Sequence, residues 1–299
     1  MIVSINFSDK NYEVQRKYNT QTAYSKGKVD KVIEYSPLDI DEKFREDNSA
    51  IFSYERGAGL WLWKPYFILK TLRELEEGDY LFYCDSGAFY INKVQYLVDV
   101  LEKSKQSVLG FEQPLLEREF TKKETFELMN YYNYTRNQLL GGYVLLKKDN
   151  FSVNFVQEWL NYATDERIIS PKRFLFEIEE SVDFKVHRED QSIFSILYHK
   201  YNLQVFREPT QKGDYPWLYR WLPMHNIFSK AWSYHPRHYD NSNYPRILIN
   251  CRNGNPQMSY KKEIIKDFLH YLGLYNETIY IRFKVMLWKL KKIFKSNND

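Results

Sequence analysis

The first third of the chain alternates between two hydrophobic periods. Residues 2–6, "IVSIN", and 31–35, "KVIEY", read as strands, while 12–26 between them carries apolar positions at helical spacing. Helical spacing returns over 62–75, "LWKPYFILKTLREL", where Pro65 suits a first turn and so moves the start towards Lys64. Gly78-Asp79 then turns into the strand "YLFYC" (80–84), 92–104 is helical again, and "VLGF" (108–111) is a strand. Strand and helix periods taking turns predict an α/β sheet with parallel strands.

The second half is less regular. "LLGGYVLLKK" (139–148) is strand-like around a glycine pair, 150–165 and 189–202 are amphipathic helices, and "LQVFRE" (203–208) is a further strand. From 209 to 256 the chain is rich in Pro, Trp, Tyr, His and Asn, which predicts a loop region wrapping a cleft. Residues 279–295, "IYIRFKVMLWKLKKIFK", put Phe283, Met286, Leu287, Leu290 and Phe294 on one helical face and Arg282, Lys284, Lys289, Lys291, Lys292 and Lys295 on the rest. An apolar stripe with basic flanks and a bordering Trp288 fits a helix lying in an anionic membrane surface. The plain alternative is a terminal helix packed on the domain with a solvated basic face.

Composition narrows the class without choosing a function. The 299 residues suit one core with appendages, and 43% hydrophobic with 27% charged residues fits a globular chain. Aromatics reach 18%, a bias that suits clefts for sugars or bases but also follows from an A+T-rich coding sequence. Cys84 and Cys251 are too few for a disulfide scaffold and lack metal-ligand spacing, which fits a reducing compartment. No secretory signal opens the chain and no apolar run approaches a membrane span. Nucleic-acid binding fits poorly, because the net charge is only +4 and the basic residues follow no groove motif.

The candidate chemistry begins at "FYCDSGAF" (82–89), where an apolar run stops at Asp85. In an open α/β sheet ligands bind at the carboxyl ends of the strands, and a carboxylate there suits Mg2+ or Mn2+ carrying a diphosphate. A polar turn is the plain alternative. Ser86 as a nucleophile would need a histidine base in the trypsin-like chain order, and all six histidines lie at or beyond His187. Upstream, Arg56 and Lys64 could neutralise phosphates, with Trp61 or Trp63 walling a pocket. Downstream, "HREDQS" opens a helix with Glu189, Asp190 and Gln191, acids that suit the helix dipole or a ligand aimed at from the helix start. The loop "MHNIFSKAWSYHPRH" adds His225, Lys230, His235, Arg237 and His238 as metal or phosphate candidates.

Taken in order, "RGAGLWLWKPYFILKTL", "GDYLFYCDSGA", "LLGGYVLL" and "HREDQSIFSIL" resemble bacterial glycosyltransferases of capsular-polysaccharide and lipopolysaccharide clusters, over roughly residues 1–201. The same blocks are distantly similar to the family 8 and family 32 nucleotide-sugar transferases of GT-A fold. The resemblance implies a GT-A-like, Rossmann-type mixed sheet flanked by helices, with a catalytic unit over 1–258 and a C-terminal helical region over 259–299. The donor half would span about 1–150 and the acceptor half about 151–258. "CDSGA" stands where those enzymes carry Asp-x-Asp, so Asp85 would bind the metal and donor diphosphate, with Ser86 and Gly87 beside it. Lys64 would be a basic donor contact, Gly141 and Gly142 would let the backbone approach the donor sugar, and Asp190 and Gln191 would touch that sugar near its anomeric carbon. His225, with His235 as the alternative, would be a metal ligand and Lys230 a phosphate contact.

Three departures stand out: Gly87 replaces the second carboxylate, Leu140 stands where an Asn is usual, and the late His motif is one residue short. The implied activity is transfer of a hexose from a UDP-sugar to a lipid-linked glycan in surface-polysaccharide synthesis, with retention of configuration favoured. The implied location is the inner face of a bacterial cytoplasmic membrane, held by the basic tail. The alternatives are a sugar-phosphate transferase and a non-catalytic carbohydrate-binding subunit of an assembly complex.

Overall fold

The computed structural model describes residues 1–222, 227–228, 233–251 and 254–296, with backbone alone at 221–222, 227–228 and 289–296. Its centre is a five-stranded sheet in the order β2-β1-β3-β8-β5, from Ile2–Phe7 (β1), Lys31–Tyr35 (β2), Tyr80–Cys84 (β3), Val108–Leu109 (β5) and Tyr143–Lys147 (β8). β1 pairs in parallel with β2 and β3, whereas β8 runs antiparallel to both β3 and β5. The four strands of the first third, β1, β2, β3 and β5, share one direction, as their alternation with helices predicts, and β8 from the second half reverses, which makes the sheet mixed, as the resemblance implies. Hydrophobic periodicity locates a strand but carries no direction, and the reversal comes from the bends that lead into β8.

Both faces of the central strands are covered, which is why they read as continuous apolar runs. Val3, Ile5, Leu81, Tyr83, Val144 and Leu146 pack on one face with the helices Trp63–Glu74 (α2), Asn150–Ala163 (α4) and Glu189–Lys200 (α5). Ile2, Phe82, Cys84, Tyr143 and Leu145 turn to the other face, against Gln95–Ser104 (α3). The predicted helix over 12–26 ends its regular part at Glu13–Thr22 (α1) and finishes in a wider turn, Ala23–Gly27.

Two stretches predicted as single strands are each split between two sheets. "VLGF" breaks at Gly110, giving β5 and then Phe111–Leu116 (β6). "LLGGYVLLKK" breaks over 140–142, giving Asn137–Leu139 (β7) and then β8. A second sheet, β7-β6-β9, forms from the other halves with Phe206–Arg207 (β9). The two breaks lie side by side, with Leu140 N–H donating to Phe111 O at 2.7 Å. The predicted loop over 209–256 holds a strand that its surroundings hid: Leu248–Asn250 (β10) pairs antiparallel with Ala88–Tyr90 (β4), just past the Asp-Ser-Gly turn.

Asn19 ties α1 to that turn. It is fully buried, accepts from Asn6 Nδ2 at 2.9 Å and donates to Ala88 O at 2.8 Å. Asn19→Ala should cost about 1–3 kcal/mol, because Asn6 keeps a buried N–H that has lost this acceptor. Urea unfolding should show the loss as a lower midpoint at unchanged slope, and an unchanged midpoint would contradict it.

Candidate active site

The site forms where β3 ends beside the start of β8. Asp85 N–H donates to Gly142 O at 2.9 Å, so the carboxylate is presented at the edge of the glycine pair. A Cβ on Gly142 would stand 3.0 Å from Asp85 Oδ2, and one on Gly141 would stand 3.0 Å from Gln191 Cβ. Any side chain at 141 or 142 would crowd the residues they bring together. Asp85 Oδ1 accepts from the Tyr83 hydroxyl at 2.6 Å. Burial and the neighbouring Asp85 carboxylate hold that phenol well above its ordinary pKa, so it stays a donor.

Asp190 and Gln191 enter from the first turn of α5, and Lys64 from the first turn of α2. Lys64 Nζ donates to Asp190 Oδ2 at 2.6 Å, with the two side chains only 4% and 5% exposed. The ammonium also lies 5.3 Å from the centre of the Tyr83 ring. Lys64, expected as a phosphate contact, is thus engaged in a buried ion pair with the carboxylate next to Gln191. Burial pushes the Asp190 carboxyl up to about 7, against the downward pull of Lys64 and with the repulsion of Asp85. The adjacent Glu189 accepts from Arg56 Nε at 2.6 Å, and burial raises its pKa too.

Arg56 precedes an unusual turn. Gly57, Ala58, Gly59, Leu60 and Trp61 all have positive φ, between 50° and 93°. Left-handed backbone costs a non-glycine residue roughly 1–2 kcal/mol, so Ala58, Leu60 and Trp61 sit there against their preference. The turn is held by the fully buried Leu60 and by Trp63 Nε1–H donating to Gly57 O at 2.9 Å. Its effect is to start α2 at Trp63, with Lys64 facing Asp190 and Arg56 over the Trp61 ring at 5.5 Å.

Gln191 is oriented by residues the sequence did not single out. Its Oε1 accepts from Gly141 N–H at 3.1 Å and its Nε2 donates to Gln138 Oε1 at 2.7 Å. Gln138 Nε2 in turn donates to Glu117 Oε1 at 3.1 Å. Glu117 is fully buried, also accepts from Thr121 and Ser195, and is pushed by burial to about 7. An acceptor at Glu117 fixes the amide of Gln138 and, through it, that of Gln191, whose second N–H is not used by this chain of bonds. The sequence carried little signal for them: Glu117 opens the polar run Glu117-Arg118-Glu119, and Asn137-Gln138 continue Thr135-Arg136.

The other candidates lie as follows. Ser86 is buried and its hydroxyl donates back to Phe7 O at 2.6 Å, while Gly87 O accepts from Cys251 N at 2.7 Å. Both serve the turn by these bonds. His235 is exposed, with its backbone N–H on Pro114 O at 3.0 Å, beside β6. His225 and Lys230 lie outside the described residues. Among the described residues no group of three or more His, Cys, Asp or Glu side chains is placed to hold a metal ion. The described residues therefore offer no protein cage for a metal; a divalent cation carried on substrate phosphates would need only one or two carboxylates, of which Asp85 would be one.

Asp190 should make stability depend on pH. Its carboxyl has a higher pKa in the fold, about 7, than the ordinary 3.8 of the unfolded chain. Over that window the native protein holds a proton the unfolded chain has released, so stability falls as pH rises. Urea unfolding from pH 4 to pH 7 should show wild type losing stability relative to Asp190→Asn. Parallel pH curves for the two would contradict the assignment.

No protein-family model matches the chain, and no curated protein matches it. Several solved structures are similar to it at low identity. Mouse xyloside xylosyltransferase 1 aligns at 10% identity over 86% of this chain and 97% of its own, with a TM-score of 0.46. The bifunctional glycosyltransferase WbbM aligns at 11% over 85% of this chain and 46% of its own, with a TM-score of 0.47. The galactosyltransferase LgtC, in complex with donor and acceptor sugar analogs, aligns at 11% over 87% of this chain and 94% of its own, with a TM-score of 0.43.

Proposed function

We propose that the protein is a glycosyltransferase that moves a hexose from a nucleoside diphosphate sugar, with UDP as the nucleotide, to a lipid-linked glycan of a bacterial surface polysaccharide. One observation carries the reading: Asp85, Gly141-Gly142, Gln191 and the Lys64–Asp190 pair meet at the carboxyl end of β3. Their sequence blocks are the ones that resemble nucleotide-sugar transferases, and they are far apart in the chain.

In this reading the donor diphosphate lies at Asp85 and the sugar lies against the bare backbone of Gly141 and Gly142. A divalent cation arriving with the donor would neutralise charge on the leaving diphosphate. The remaining Gln191 N–H donates to an oxygen of the donor sugar, and Lys64 holds Asp190 beside it. Lys64 is thus a positioning residue. A general base for inversion must reach the acceptor hydroxyl, yet Asp190 Oδ2 is held by Lys64 and Glu189 Oε1 by Arg56. That engagement supports front-face attack with retention. The aromatic 209–256 region would present the acceptor, and the basic tail would keep the enzyme at the cytoplasmic face of the membrane.

Incubation with a panel of nucleotide sugars, with Mn2+ or with EDTA, tests the reading by the nucleotide released. Wild type should release nucleoside diphosphate, and Asp85→Ala should be slower by about a hundredfold or more. Equal turnover in both contradicts the role of Asp85. Release of the monophosphate would instead mark a sugar-phosphate transferase, and binding without release a carbohydrate-binding subunit.

A further inference from the structure

The helix Pro256–Tyr271 (α6) is packed inside out. Its polar face points inward: Asp267 accepts from Arg246 at 2.8 Å and from the Tyr215 hydroxyl at 2.6 Å, and the buried Glu263 lies 3.8 Å from the same guanidinium. Ser259 and His270 continue that face, bonded to Cys251 and to Tyr275 O. These positions recur every three or four residues, as one side of a helix must. The opposite side is apolar and open, with Ile265 57%, Phe268 61% and Tyr271 87% exposed. In the next helix, Glu277–Ser296 (α7), Phe283, Met286 and Leu287 are also exposed. An apolar stripe of this extent calls for a covering partner.

Charge decides what kind. Residues 259–299 hold nine Lys and Arg against four Asp and Glu, enough to account for the whole chain's net charge of +4. Three of the four acids are turned towards the body of the protein: Glu263 and Asp267 to Arg246, and Glu277 to Arg220. What faces outward beside the apolar stripe is basic, as with the exposed Lys261 and Lys262. A second copy docking by the same patch would set positive against positive. An anionic lipid surface offers headgroups for the lysines and acyl chains for the rings. No helix among the described residues is long and apolar enough to cross a membrane, so contact by these helices is in-plane.

We infer that the outer face of α6 is a membrane-docking surface for anionic bilayers, acting with α7. The basic tail is then one half of the anchor and α6 the other. The Arg246 cluster fixes the angle at which the catalytic body stands on the membrane. The inference extends the peripheral-membrane part of the function proposed above, and its test uses lipid alone, so it fails or holds separately from the transfer chemistry.

The test is co-sedimentation of the full chain with vesicles of phosphatidylcholine, with and without phosphatidylglycerol. Wild type should bind the anionic vesicles and leave the neutral ones. Ile265→Ser/Phe268→Ser should weaken binding about tenfold or more, since each buried apolar side chain is worth over a factor of ten. Lys261→Gln/Lys262→Gln, which removes no apolar packing, should weaken binding and reduce its salt dependence. Thermal unfolding of both variants should match wild type; the lysine pair decides if the serine pair does not fold. Wild-type affinity in the folded variants overturns the inference. So does a concentration-dependent dimer, abolished by the serine pair, in place of vesicle binding.

Discussion

The buried ion pair between Lys64 and Asp190 is the constraint around which the site is arranged. Above about pH 7, where Asp190 is ionised, two charges taken almost wholly out of water are stable only if their geometry is good and the rest of their polar atoms are served. That requires α2 to start at residue 63 and α5 at 189, with both first turns facing one point. The left-handed turn over 57–61 meets the first requirement, at a conformational cost that the packing of Leu60 and Trp63 offsets. Glu189, itself at positive φ, clips onto Arg56 and closes the second. Ala58, Leu60, Trp61 and Glu189 thus concentrate left-handed backbone around the ion pair, while Lys28, Lys105, Asn130 and Asn202 adopt it singly elsewhere.

Glycines do the complementary work. The chain passes from one sheet to the other at Gly110 and again at 140–142, and the second passage leaves bare backbone between Asp85 and Gln191. Gly141 and Gly142 are themselves buried, and the space their missing side chains leave is taken by Asp85 and Gln191, which approach the main chain closely. The Gln191 amide is held in one orientation by Gln138 and the buried Glu117, so the cleft's hydrogen-bonding pattern is set from outside it.

Much of this was legible in the sequence. "IVSIN" and "YLFYC" were readable as strands because both their faces are buried, "KVIEY" because its Val-Ile centre marks a half-exposed edge strand, and 150–165 because its apolar spacing is regular; 189–202 was legible as a helix, but it is buried on nearly every side rather than amphipathic. Asp85, the glycine pair and Asp190-Gln191 stood out as polar or small residues where elements begin or end. What escaped notice has physical reasons. Strand period says nothing of direction, so the reversal of β8 was hidden. Ala58, Leu60 and Trp61 carry no local mark of a left-handed turn. The pairing of Lys64 with Asp190 was hidden because the two meet only through tertiary packing. The outward apolar face of α6 was invisible because amphipathicity does not reveal which side faces the body.

The central claim is that a nucleotide sugar lies across Asp85, the glycine pair and Gln191. A crystal structure of the protein with a non-transferable nucleotide sugar tests it most directly. The account predicts the diphosphate beside Asp85 and the sugar against Gly141 and Gly142, within hydrogen-bond reach of Gln191, with Lys64 still on Asp190. A donor bound elsewhere, or one that draws Lys64 away from Asp190 onto its phosphates, would contradict it.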